Sequence, residues 1–438
     1  MVDSLDNRTE RHKSLPVVDS SEQRTPLVQS ENGQLTYDAL VLDAGLRQSL
    51  TTVRSLGSRG LRVAALGATG KELTFSSRWC QQAYVCPASD GTDEYLNFLE
   101  RALELGGARV LMTSSDATIA LIRRHRERLE RRVSLVLAKE PALAIAINKE
   151  QTLGVARRLG IHIPAAARVE TASEVSAAVR DVGLPAVVKP VESWVGDEQR
   201  GVRLASRLVT THDEAQRAVE ELTRFGTATL FQQFLSGRRE SLTFLYANGE
   251  FYARFAQWGK RNQPPLGGQS VLSQGIAFPQ DIGEQGERLV REINLEGISH
   301  VEFRRDRFGI PYLMEINPRL AASTELAVRS GVDFPYLLYQ WASGEKIDRV
   351  THYREGIWLR DLHNDLITTI AALKDRGRPG IKSPARTIFD FTASFFKPVH
   401  YYYVDPRDPL PAWTAAKDLA HYLWRLLKKS LAYWKHGR

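Results

Sequence analysis

Two glutamates, Glu302 and Glu315, sit in a run of strand-forming residues, SHVEFRRD–RFG–IPYLMEIN (299–317), with a turn signal near 306–309 between them. The antiparallel hairpin this predicts brings them close to facing each other across the pair. Glu315, Asn317 and Arg319 alternate, so an extended chain puts their side chains on one face. Two carboxylates and an amide oxygen are hard ligands suited to Mg²⁺, with Mn²⁺ as a substitute, where the ion also bridges nucleotide phosphates. Arg319, fixed just after Pro318, is placed to hold a transferring phosphoryl or acyl-phosphate oxygen by a two-pronged hydrogen bond. The bland alternative is a surface hairpin with ordinary charges. The apolar neighbours Val301, Phe303, Met314 and Ile316 argue against it. A second signal is Lys189 inside PAVVKP (185–190). An ammonium in a buried strand costs on the order of several kcal/mol unless an anion compensates it. A phosphate chain would serve, and so would a structural salt bridge. Directly after it comes ESWVGDEQRG (192–201), a mixed-charge loop with two glycines whose backbone N–H groups suit a phosphate chain.

The elements that must position these residues are legible in outline. Residues 36–145 read as an open α/β domain: strand 38–43, a helix through Leu46, Leu50, Val53 and Leu56, and strand 61–67 make a parallel unit. A helix at 94–105, a strand within 108–116 and a helix over 117–129 follow. Two decoys sit here. Gly67-Ala-Thr-Gly70-Lys71 lacks the spacing of a phosphate loop, and no G-x-G-x-x-G follows the first strand. From residue 146 the texture changes to hairpins carrying helices, the pattern of α+β lobes. Helices are expected at 149–159, 173–182 and 213–222, strands at 185–190 and 228–235, and a hairpin over 241–258 turning at Asn248-Gly249.

The order Lys149, VVKP, a mobile loop, FQQFLSGRRES, HVEF and MEINPR resembles the ATP-grasp superfamily over roughly residues 36–345. The fold implied is an N-terminal open α/β domain (36–145), two α+β lobes gripping ATP (146–345) and a C-terminal extension (346–438) that ends in a basic helix. By that resemblance Lys149 and Lys189 neutralise the ATP phosphates, and the backbone of Gln233–Leu235 holds the adenine edge. Glu240 takes the ribose hydroxyls, Glu302, Glu315 and Asn317 hold magnesium, and Arg319 lies near the γ-phosphate. Many members carry Glu where Gln233 stands, and the loop at 192–201 is poor in glycine. The segment 259–274 resembles a loop of carboxylate–amine ligases, some of which add an amino acid to cell-wall precursors, and brings Arg261 toward the γ-phosphate. The implied reaction activates a carboxylate as an acyl phosphate and joins it to an amine, giving ADP and phosphate, with amino acids or envelope precursors as substrates. The alternatives are a carboxylase-type enzyme, weakened by the lack of a biotin-carrier lysine motif, and a non-catalytic ATP-binding module.

Composition bounds the rest. The chain has 438 residues, room for two to four domains, with 43% hydrophobic and 25% charged residues, the ordinary globular balance. Two cysteines, Cys80 and Cys86, are too few for a disulfide scaffold or a four-thiolate zinc site. The net charge of +8 is concentrated in residues 411–438, which hold six basic residues against Asp418; no nucleic-acid-binding signature appears elsewhere. Residues 1–35 read as a disordered leader, no run is apolar enough for a secretion signal or spanning helix, and a cytoplasmic location is expected. Trp413, Ala416, Ala420, Leu423, Leu427, Leu431 and Trp434 recur at helical spacing among basic residues. That stripe fits either a helix docked on the protein's own body or one lying on an anionic membrane at the cytoplasmic face.

Overall fold

The computed structural model describes residues 37–88, 90–196 and 200–436; the leader expected over 1–35 lies outside the described residues. Five parallel strands open the fold: β1 (Ala39–Val41), β2 (Val63–Gly67), β3 (Cys80–Val85), β4 (Val110–Met112) and β5 (Ser134–Leu135), in the order β3-β2-β1-β4-β5. β1, β2 and β4 are buried along their whole length, as strands covered on both faces must be. Helices α1 (Arg47–Gly57), α2 (Asp93–Gly106), α3 (Asp116–Arg124), α4 (Arg126–Glu130) and α5 (Ala142–Ile147) accompany them. The single helix expected over 117–129 is broken at His125, whose backbone leaves the helical region. Strand order reverses at β1, which pairs with β2 on one side and β4 on the other. In open parallel sheets the crevice beyond the carboxyl ends at such a reversal is where ligands bind.

The next block starts with α6 (Lys149–Arg158), capped by the Asn148 side chain. It continues through β6 (Ala166–Val169), α7 (Val175–Val182), β7 (Ala186–Pro190), the hairpin β8 (Trp194–Gly196) and β9 (Gly201–Arg203), β10 (Arg207–Val209), α8 (His212–Thr223) and β11 (Thr229–Gln233). Strands β10-β7-β11-β6 form an antiparallel sheet with its own apolar core, which includes Val169, Val175, Val188, Val219 and Phe231. Ala186 and Val188 face that core, so alternation turns Val187 and Lys189 to the opposite face.

The third block is built on β12 (Arg239–Ala247), β13 (Glu250–Gln263), β14 (Gln269–Gly275), α9 (Gln280–Glu292), β15 (Gly297–Arg305), β16 (Pro311–Asn317), α10 (Thr324–Ser330) and α11 (Phe334–Ser343). Asn248 and Gly249 both have positive φ, as a tight two-residue hairpin turn requires. The segment 259–274, expected as a loop, is mostly strand: β13 runs to Gln263 and β14 begins at Gln269. After residue 345 come β17 (Trp358–Arg360), α12 (Leu362–Lys374), α13 (Pro384–Ala393), β18 (Val399–Tyr401) and α14 (Leu410–His436). β17 and β18 extend the large sheet to seven strands, β16-β15-β12-β13-β14-β17-β18, so the C-terminal residues are part of its architecture. One face of this sheet shares a core with the N-terminal domain: Leu242, Phe244, Val301 and Phe303 cluster with Leu42, Leu66 and Leu111. The molecule is thus mixed α/β and α+β, with a parallel domain, a four-stranded antiparallel sheet and a seven-stranded sheet that is antiparallel except at β17–β18.

Candidate active site

A cleft of about 670 Å³ lies between the four-stranded and the seven-stranded sheet. Lys189 and Val187 on β7 and Lys149 at the start of α6 line one side. Glu302 and Arg304 on β15, Glu315 and Asn317 on β16, and Arg239 on β12 line the other, with Arg319 beyond. Gln233, Phe234 and Leu235, leaving β11, form one end, where the Leu235 carbonyl accepts from Arg304 Nη1 at 2.7 Å.

The β15–β16 register sets Glu302 directly opposite Glu315 and His300 opposite Asn317. A bulge falls immediately after this pair, between Glu302 and Phe303. Asn317 Nδ2 donates to Glu315 Oε1 at 3.3 Å, and Arg239 Nη2 donates to Glu302 Oε2 at 2.5 Å. Burial raises both glutamates, but the outcomes differ. At Glu302 burial prevails, whereas Lys149, Lys189 and Arg239 outweigh it at Glu315 and hold that carboxyl down. His300, buried near Arg239 and Arg319, is pulled down to about 3, so its ring is neutral; Nδ1 shares a hydrogen bond with Thr243 Oγ1 at 2.9 Å. Opposed carboxylates flanked by an amide form an oxygen donor set that fits Mg²⁺ or Mn²⁺. Among the described residues no third acid, His or Cys joins them, so further oxygens would have to come from ligand or water.

Lys189 and Lys149 are 8% and 7% exposed, and neither has a carboxylate within ion-pair distance among the described residues. Lys149 Nζ donates to Ser193 Oγ at 2.9 Å. Burial, only partly opposed by Glu315, pulls Lys189 down to about 8. The structural salt bridge that would explain a lysine in PAVVKP is absent from the described residues. What the pair faces instead is the cleft.

Two sequence expectations are corrected. Glu240 is not in the cleft: it lies across from Trp258 and Phe303 on the other face of the sheet, where Arg238 and Arg305 hold it at 3.1 and 2.6 Å. On a strand only alternate residues share a face, and on β12 those lining the cleft are Arg239 and Ser241. Arg261 does not approach the phosphate region either. A bulge in β13 turns it to Asp365 on α12, which it grips with two bonds of 2.5 and 2.6 Å, and it also donates to the Asp390 carbonyl and Ser394.

A smaller cavity of about 300 Å³ opens beside the cleft, at the carboxyl ends of β1, β2 and β4. The two cavities share Arg203, Gln269 and Arg319. Arg319 is held by Asp116, the first residue of α3, at 2.7 and 3.4 Å. Burial raises Asp116, but Arg319 outweighs it and keeps the carboxyl ionised. Also on its lining, Asp90 is pushed up to about 6 by burial and by Asp43, and the buried Tyr95 hydroxyl has no hydrogen-bond partner among the described residues. Trp194, on the β8–β9 hairpin, roofs this cavity. A Cβ at Gly201 would strike the Trp194 ring, so that glycine lets the indole lie across the hairpin. Asp116, Asp90 and Tyr95 had no motif to mark them, and Arg239 and His300 lay within FQQFLSGRRES and HVEF without being assigned a role. Asp116 was visible only as a helix start, and the others become site residues through contacts between distant segments.

Residues 229–364 match the family described as "ATP-grasp in the biosynthetic pathway with Ter operon". The match takes in Gln233, Glu302, Glu315, Asn317 and Arg319 but neither lysine. The chain is 29% identical over 189 residues to the uncharacterized protein y4rH of Sinorhizobium fredii, covering 41% of this chain and 37% of that one. It is 24% identical over 214 residues to the D-alanine–D-alanine ligase of Chromohalobacter salexigens, covering 45% of this chain and 64% of that one. The chain therefore spans less than two thirds of these relatives. Among solved structures, biotin carboxylase from Campylobacter jejuni, in a beta-gamma-ATP complex, superposes with a TM-score of 0.59 at 14% identity, covering 74% of each chain.

Proposed function

From a chain with the ATP-grasp fold that resembles carboxylate–amine ligases, we propose an ATP-dependent ligase that activates a carboxylate as an acyl phosphate and joins it to an amine, releasing ADP and phosphate. The observation that carries this reading is the pair of buried lysines, without an acid partner among the described residues, facing opposed carboxylates across a cleft, with Arg319 at its junction with a second cavity.

Lys149 and Lys189 would take the phosphate chain, whose negative charge would compensate two ammonium groups that no acid among the described residues pairs with. Val187 and the turn at Gln233–Leu235 would hold the base. Glu302, Glu315 and Asn317 would hold Mg²⁺, which when bound neutralises phosphate charge. Arg319, oriented by Asp116 and lining both cavities, would meet a substrate carboxylate in the smaller cavity and the phosphate end of ATP in the cleft. Positioning and charge stabilisation are the protein's share of such a reaction. Trp194 would shield the activated carboxyl from water, which otherwise hydrolyses it. Asp90 and the Tyr95 hydroxyl, unpartnered among the described residues, would offer an ammonium two acceptors in the same cavity. The D-alanine–D-alanine ligase among the relatives fits an amino-acid amine.

The test is ADP and phosphate release from purified protein with ATP, Mg²⁺ and a panel of amino acids. Release that depends on a pair of panel members supports the ligase. Tight ATP binding without any panel-dependent release overturns it in favour of a binding module. Release that depends on bicarbonate overturns it in favour of a carboxylase.

A further inference from the structure

Among the described residues thirteen large apolar side chains are exposed, and nine of them lie between Ile388 and Trp424. Scattered exposed apolar residues are normal, but this concentration in one segment marks a contact surface. Its longest element is α14. Pro411 is buried, and Ala412, Ala415, Leu419 and Tyr422 are half-buried on the side toward the protein, where the Tyr422 ring lies 5.1 Å from that of His363 on α12. The apolar stripe is on the opposite side: Trp413 is 66% exposed, Leu423 42% and Trp424 53%, with Ala416 and Ala420 exposed between them. The helix therefore docks through its narrower side and leaves the stripe uncovered.

The charges choose the occupant. At 100° per residue Lys417 and Lys428 fall along one edge of the exposed stripe, and Lys428 Nζ lies 3.9 Å from the Trp424 ring centre. Asp418 is the only acid in residues 411–438, against six basic residues. No helix among the described residues is long and apolar enough to cross a membrane. An apolar face edged by lysine and tryptophan, too polar overall to span, matches a helix lying in a lipid headgroup layer.

We propose that α14 binds the surface of an anionic bilayer, with Trp413, Leu423 and Trp424 inserted and Lys417, Arg425 and Lys428 at the headgroups. The proposal is independent of the catalytic reading. The test is co-sedimentation of the full-length chain with phosphatidylcholine vesicles, with and without phosphatidylglycerol. Pelleting should require phosphatidylglycerol and fall as salt rises. Trp413→Ser, Leu423→Ser and Trp424→Ser together should abolish it without changing the thermal midpoint, because all three positions are exposed. Each of Lys417→Gln, Arg425→Gln and Lys428→Gln should weaken it about fivefold. Pelleting that the serine variant retains, or that neutral vesicles support equally, overturns the proposal. So does failure to pellet with a dimer in sedimentation velocity that the serine variant loses, which would assign the face to a second copy of the chain.

Discussion

Two groups of buried charge, one beside β17 of the seven-stranded sheet and one in the cleft, are built in opposite ways. Around β17, Arg360 and Asp365 are fully buried and bonded at 2.6 Å, Arg261 adds two bonds to Asp365, and Arg47 pairs with Asp361 at 3.0 Å. Arg360 also lies over the Phe391 and Phe395 rings, and Arg360, Asp365 and Arg261 line neither cavity of the candidate site. In the cleft, Lys149 and Lys189 are almost as buried but face open volume without an acid partner among the described residues. The first arrangement is closed on itself and serves to fix α12 and α13 on the sheet. The second is incomplete by itself, because a buried charge without a partner persists only where something else compensates it. Burial alone therefore says little about a charged residue's purpose; whether its partner is inside the protein says more.

The sharpest way to break this contrast is Glu315→Ala. The variant should fold, since it removes a carboxylate from a crowded acidic pair, yet lose on the order of a thousandfold in turnover. Near-normal ADP release would remove Glu315 from the reaction. Asp365→Asn should do the reverse. Leaving Arg360 and Arg261 uncompensated should cost about 3–5 kcal/mol, read as a lower thermal midpoint, while protein that remains folded still binds ATP with unchanged affinity.

Lys189→Met should weaken ATP binding about tenfold or more, measured by calorimetry, and raise stability near neutral pH. The sign follows from a folded value of about 8, below the ordinary 10.5. The unfolded chain then binds more protons between those values, so the destabilisation by Lys189 builds up as pH falls from 10.5 toward 8 and is fully present below 8. The stability gain of the variant should therefore shrink toward alkaline pH. Phosphate binding favours the charged amine, so wild-type protein should take up a proton on binding ATP at mildly alkaline pH, and the variant should not. Absence of that uptake in wild type would place the phosphates away from Lys189. The smallest effect is expected for Glu240→Gln: ATP affinity within about twofold, with about 1–3 kcal/mol lost from its bonds to Arg238 and Arg305. A large loss of affinity would return Glu240 to the nucleotide.

Some of the site was legible because its chemistry is local. Glu302 and Glu315 belong to two arms of one hairpin, and period-two alternation with a short turn sets their register within a single supersecondary unit. Lys189 stood out because a charge inside PAVVKP conflicts with its neighbours. Glu240 was misplaced for a related reason: the offset from Gln233 crosses the irregular stretch 234–238, and an error of one residue there changes the face. Arg261 was misplaced because its partner, Asp365, lies about a hundred residues away on a helix that no motif connects to it.

What the sequence by itself determined was part of the element set, with its amphipathic faces, since these depend on residue spacing over a few turns; such elements as β3, α9 and those between β17 and β18 emerge only in the structure. It determined the parallel start of the fold, the hairpins, the opposed glutamates and the apolar stripe of α14. Only the tertiary structure decided where those faces point. It set Arg239 rather than Glu240 toward the cleft, brought Asp116 to Arg319 across about two hundred residues, and joined the smaller cavity to the larger at Arg319. It also added β17 and β18 to the sheet and docked α14 with its stripe outward. Packing between distant segments depends on the shapes and charges of both partners at once, and no window along one chain segment contains both.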